Sequence, residues 1–120
     1  MVENVLKQKS FGFAVRMVHL FKYLKDDKKE FVLSKQVVRS GTSVGAMIRE
    51  AEHAQSKADF INKLSVAQKE MNETMYWLQL LHATDYLSNE QFESINTDAV
   101  EIMKLLTAIL KTTKANLNHK

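Results

Sequence analysis

The sequence predicts an all-α protein, an antiparallel up-down-up-down four-helix bundle. Two compositional facts and one pattern carry that expectation. There is no proline and there are only three glycines in 120 residues, so nearly every turn and strand signal is missing. Lys, Glu, Leu, Ala, Gln and Met, all good helix formers, are abundant. Four stretches place apolar residues at mixed three and four spacing, separated by short polar links. Amphipathic helices joined that closely must turn back on one another and pool their stripes into one core. The whole chain, 1–120, reads as a single domain that buries roughly two thirds of the surface its unfolded form exposes. Neither metal nor disulfide is needed for such a core, and there is no cysteine.

The first helix is expected over about residues 10–25, with Phe11, Ala14, Met17 or Val18, Phe21 and Leu24 on one face. The Asp26-Asp-Lys-Lys run ends it. The second is expected over about 32–54, its face formed by Val37, Gly41, Val44, Ile48 and Ala51. Gly41 and Gly45 stand four apart inside this helix, where each costs about 0.5–1 kcal/mol relative to alanine. Close backbone packing should offset that cost, which makes this helix a contact surface. Ser56 with Asp59 reads as a variant capping box that opens the third helix, about 57–83. Its seam is Phe60, Leu64, Ala67, Met71, Thr74, Leu78 and Leu81. Ser88-Asn-Glu-Gln91 is a second box, opening a fourth helix over about 89–115 with the seam Phe92, Ile95, Ala99, Ile102, Leu106 and Ile109. Disorder is expected only in about the first eight residues and over 116–120.

Helices three and four carry more apolar surface than one seam needs. Ile61, Val66, Met75, Tyr76 and Trp77 lie off the third seam, and Val100, Met103, Leu105 and Leu110 off the fourth. With the small-residue face of helix two, this excess predicts a homo-oligomer. Arg39 and Arg49 are expected to organise the assembly through ion pairs with Glu50, Glu52 or a carboxylate of helix three.

Charge is polarised along the chain. The stretch 7–39 holds nine basic and three acidic residues, 40–103 holds four basic and ten acidic, and the four lysines beyond have no acidic neighbour. Arg16, Lys22, Lys25, Lys28, Lys29 and Lys35 are the candidate contacts to an RNA or DNA phosphate backbone. Tyr23, Phe31 and Tyr86 can stack on bases or serve as core and flank residues.

Chemistry has little support. Glu50 and His53 have the Glu-x-x-His spacing of di-iron bundles, but a complete site needs a second such motif. His19 and His82 are preceded at that distance by Arg16 and Gln79. Ser40, Thr42 and Ser43 on a helix lack the strained elbow and paired base of a nucleophile. No catalytic, cofactor or metal residue is assigned. The amino-terminal sequence lacks the apolar core of a signal peptide, and no apolar run reaches the roughly 20 residues a bilayer requires, so a cytoplasmic location is expected.

The segment Leu33-Ser-Lys-Gln-Val-Val-Arg-Ser-Gly-Thr-Ser-Val-Gly-Ala-Met-Ile-Arg-Glu-Ala, followed by Phe60, resembles the signature of the four-helix-bundle family named for 23S ribosomal RNA intervening-sequence proteins, also called S23 ribosomal protein-like. The matching positions are Gln36, Arg39, Ser40 to Gly45, and Ile48 to Glu50. The resemblance implies a small bacterial cytoplasmic protein, often a homopentamer, whose reading frame lies inside an insertion in ribosomal RNA genes. The family is also similar to the accessory protein of diversity-generating retroelements, a basic pentamer that binds nucleic acid and a reverse transcriptase. A non-catalytic nucleic-acid-binding module is the function so implied, with a protein-interaction scaffold as the alternative.

Overall fold

The computed structural model describes residues 2–117, which form α1 (Val2–Asp26), α2 (Leu33–Ala51), α3 (Lys57–Ala83) and α4 (Asn89–Leu117). There is no strand among the described residues. Each helix packs against its neighbours in the chain, α1 also packs against α4, and neither diagonal pair approaches. The result is the antiparallel four-helix bundle that the periodicity predicts, drawn out to 53 × 22 × 21 Å.

The predicted seams of α2, α3 and α4 form the core. Val37, Val44, Leu78, Leu81, Ala99 and Leu106 are fully enclosed, and Phe60 and Phe92 sit half-buried at the ends of their seams. Burial of each large side chain of this kind contributes about 1.5–3 kcal/mol. Helix α1 departs from expectation. It begins at Val2, well before the expected start near residue 10, and its buried face is Leu6, Ser10, Phe13, Met17, Leu20 and Leu24. Phe11, expected inside, points outward, and of the alternatives Met17 and Val18 it is Met17 that is buried. The run from Leu6 to Leu24 is an unbroken four-three alternation, and it wins because it continues one stripe through the helix's whole length. Residues 2–8 and 116–117, expected to be disordered, are helical, while the same expectation for residues 1 and 118–120 lies outside the described residues.

Of the two α2 glycines, only Gly41 is required by the seam with α1. A Cβ on Gly41 would lie 2.4 Å from Cγ of Met17, and one on Gly45 would lie 3.4 Å from the carbonyl oxygen of Ser10. Across the other seam of α2, the buried hydroxyls of Ser40 and Thr74 join α2 to α3, with Thr74 Oγ1 and Ser40 Oγ 2.8 Å apart.

The links are built from caps. Ser56 Oγ accepts from the Asp59 N–H at 3.0 Å, and Ser88 and Gln91 exchange bonds reciprocally at 3.1 and 2.9 Å, as the two boxes predict. The cap of α2 is supplied by Glu30. Its carboxylate, on a residue only 8% exposed, accepts the backbone N–H groups of Val32, Leu33 and Ser34 at 3.2, 2.9 and 2.7 Å. A negative group there satisfies orphan donors and suits the helix dipole.

Candidate nucleic-acid and assembly surfaces

The basic residues divide into those held by partners and those left facing solvent. Arg16 projects from α1 onto α4, where it donates to Asp98 Oδ2 at 2.7 Å, to the Ser94 carbonyl at 3.2 Å and to Ser94 Oγ at 3.0 Å. It acts as a clamp between helices, and its donors are largely occupied. Arg39 bridges α2 to α3 by pairing with Glu70 at 3.1 Å and with Glu73. A carboxylate of helix three is among the expected partners, but the pair lies across a seam of one chain and so holds the bundle rather than organising the expected assembly. Glu50 pairs with Lys63 of α3 at 3.4 Å. Arg49 pairs with none of these carboxylates, and its guanidinium stands 5.7 Å from the ring centre of Phe11.

Lys22, Lys25, Lys28, Lys29 and Lys35 differ from these. All five are exposed, they surround the turn from α1 into α2, and among the described residues none forms an ion pair. Lys25 Nζ lies 5.6 Å from the centre of the Phe21 ring and Lys28 Nζ 5.8 Å from that of Tyr23. Aromatic faces at this distance orient an ammonium without neutralising it. Asp26 and Asp27 are exposed on the same turn, outnumbered by the lysines.

The turn itself is tied down. Lys29 takes the left-handed conformation with φ 54°, the Glu30 N–H donates to the Leu24 carbonyl at 2.8 Å, and the Glu30 side chain closes onto α2 as described above. Between these anchors Phe31 and Val32 project outward, 53% and 69% exposed. Tyr23 and Tyr86, the other two aromatics considered for stacking, are half-buried against the core.

A second surface lies on the outer side of α1 and α2. Phe11, Val15 and Val18 form a stripe 58%, 40% and 40% exposed, and Phe11 lies beside Thr42, Ala46 and Arg49 of α2. A Cβ on the neighbouring Gly12 would meet nothing within 4 Å, so no contact within the chain requires a glycine there. The small-residue face expected to make α2 a contact surface is turned to α1 of the same chain at Gly41 and Gly45, and the exposed apolar stripe lies on α1.

The Glu50 and His53 pair does not form a site. Helix α2 ends at Ala51, two residues short of His53, and Glu50 turns toward Lys63. No three His, Asp or Glu side chains among the described residues stand together as a metal-ligand group.

The family model described as 23S rRNA-intervening sequence protein matches residues 3–108. The chain belongs to that family. A solved relative of this intervening-sequence family supports the assignment: the crystal structure of a protein with unknown function from the S23 ribosomal protein family of Bacteroides thetaiotaomicron VPI-5482 is 63% identical. The match covers 92% of this chain and 99% of the Bacteroides one, with a TM-score of 0.92. No curated protein matches. As an intervening-sequence protein the chain thus has an established bundle scaffold, and no helix among the described residues is long and apolar enough to cross a membrane.

Two features of this scaffold carry no clear signal in the sequence. No short-range capping pattern picks out Glu30 ahead of α2. The outward turn of Phe11 is evident only once the stripe is followed back to Leu6 and Ser10.

Proposed function

We propose that this intervening-sequence protein is a non-catalytic, homo-oligomeric module that binds the phosphate backbone of RNA or DNA through Lys22, Lys25, Lys28, Lys29 and Lys35. One observation carries the reading: these lysines gather about the α1–α2 turn, exposed and in no ion pair among the described residues, with the exposed acids Asp85 and Glu90 at the separate α3–α4 turn, whereas Arg16 and Arg39 are engaged between helices. Arg16, a contact by sequence, is therefore given a structural role. Assembly is assigned to the outer face of α1 and α2, with Phe11, Val15, Val18 and Arg49, and the family resemblance suggests five copies. Repeating a weak basic patch around a ring raises its avidity for a long polyanion by orders of magnitude.

Titration of a fluorescent RNA across a salt series tests the nucleic-acid half. The logarithm of the binding constant should fall linearly with the logarithm of salt, by about 0.7–0.9 for each phosphate neutralised. No binding at low salt would discard it. Light scattering tests the assembly half. An intact oligomer that ignores nucleic acid would favour the second reading, a protein-interaction scaffold, for which the exposed Phe11 stripe is the supporting observation.

A further inference from the structure

We infer that the turn between α1 and α2 recognises unpaired nucleotides, with Phe31 as a stacking platform and the surrounding lysines as the phosphate contacts. This rests on the nucleic-acid reading above and narrows it to single strands, loops or bulges. A solitary exposed phenylalanine is ordinary on protein surfaces. Phe31 is distinguished by its setting. The backbone on both sides is fixed, by the Glu30 N–H on the Leu24 carbonyl before it and by the Glu30 carboxylate on the N–H groups of Val32, Leu33 and Ser34 after it. An aromatic ring presented on a rigid turn is already placed for binding, so little further ordering opposes stacking.

The charges around the ring fit a strand. Lys28, Lys29 and Lys35 lie within a few residues of Phe31, while Lys22 and Lys25 continue up the side of α1. At about 1.5 Å of rise per residue, those two extend the patch along the helix as a track leading away from the tip. A backbone whose bases are splayed out can follow such a track while one base lies on the ring, which is the arrangement that sequence-tolerant single-strand binders use. In a duplex every base face is covered by its neighbours, so Phe31 has nothing to stack on. The N-terminus of α2, otherwise an anion site, is filled by the protein's own Glu30, which leaves the lysines as the phosphate ligands. An anionic membrane is the less suitable partner, since the apolar tip is only Phe31 and Val32.

The test uses the full chain, with a short unstructured oligouridylate and a duplex RNA of the same length as probes, in fluorescence anisotropy at low salt. The strand should bind more tightly than the duplex. Phe31→Ala should weaken strand binding about five- to hundred-fold, the range measured for losing one stacked base. Duplex binding and the salt slope should be unchanged, and Phe31→Trp should keep strand affinity at or above the parent's. Equal affinity for both probes, or a Phe31→Ala variant that binds the strand normally, overturns the inference and leaves the broader reading standing. Failure of both probes to bind overturns this inference and the broader reading together. Phe31-dependent binding to phosphatidylserine vesicles without oligouridylate binding would also overturn both, and would point to a membrane surface.

Discussion

Gly41 of α2 and Met17 of α1 compete for one volume: a methyl group on the glycine would stand 2.4 Å from Met17 Cγ and 2.7 Å from its sulfur. Met17 is fully enclosed and has nowhere to retreat. Gly41→Ala should destabilise the fold by about 1–2 kcal/mol, the strain of overpacking less the helix propensity gained. At Gly45 the nearest atom is 3.4 Å away, an ordinary contact, so Gly45→Ala should stabilise by about 0.5–1 kcal/mol. Urea unfolding of the two variants side by side checks the contrast; equal midpoints would refute it.

The Glu30 cap makes a second prediction. Glu30→Ala strips the acceptor from the N–H groups of Val32, Leu33 and Ser34 and should cost about 1–2 kcal/mol. Glu30→Gln keeps an acceptor oxygen and should cost less. Thermal melts distinguish the two, and an Ala variant as stable as the parent would show that the cap does not matter.

Arg16 and the lysine patch should separate cleanly. The Arg16 and Asp98 side chains are 36% and 44% exposed, so Arg16→Gln should change stability by no more than about 1 kcal/mol. It should leave the salt dependence of RNA binding alone. Replacing Lys22, Lys25, Lys28 and Lys29 together with Gln should flatten that slope by about 3, at roughly 0.7 per lost phosphate contact on a single strand. Helicity and oligomer size should be retained.

For assembly, Phe11→Glu with Val15→Glu puts two charges into the outer stripe of α1, where neither side chain supports the core. Light scattering should report dissociation to monomers with unchanged helical circular dichroism. An oligomer of unaltered mass would move the interface elsewhere.

The Ser40 and Thr74 hydroxyls offer an asymmetric pair. Thr74 Oγ1 also lies 2.8 Å from the Glu70 carbonyl, whereas the other bond of Ser40 Oγ, to the Val37 carbonyl, is 3.4 Å. Thr74→Val leaves the serine hydroxyl enclosed and poorly satisfied, and should cost about 1–3 kcal/mol. Ser40→Ala should cost less, because Thr74 keeps its backbone partner. Denaturation of both single variants and the double variant measures the coupling.

The sequence is most legible where a stripe runs unbroken between marked ends. From Phe60 to Leu81 and from Phe92 to Ile109 the seam recurs at steps of three and four, so the buried face can be read even beside the extra apolar residues, and the two serine boxes mark both starts. Helix α1 was harder because it carries two stripes, Leu6 to Leu24 and Phe11 to Phe21, and only burial decides between them. Composition could list the basic residues but not their partners. Arg16 reaches Asp98 and Arg39 reaches Glu70 across helix seams, and such pairings depend on which faces meet. Phe31 was ambiguous for the same reason. Its exposure follows from the path of the turn, which Glu30 sets through bonds that no short-range pattern announces.

The cyclic order of the bundle has a kinetic corollary. Three of its four seams join consecutive helices, so they bring together residues close in the chain, and the seam between α1 and α4 alone spans its length. Chains organised this way spend little loop-closure entropy before contacts begin to reward them, and they fold on microsecond to millisecond scales. Each hairpin of helices can form first, with α4 settling against α1 as the final closure.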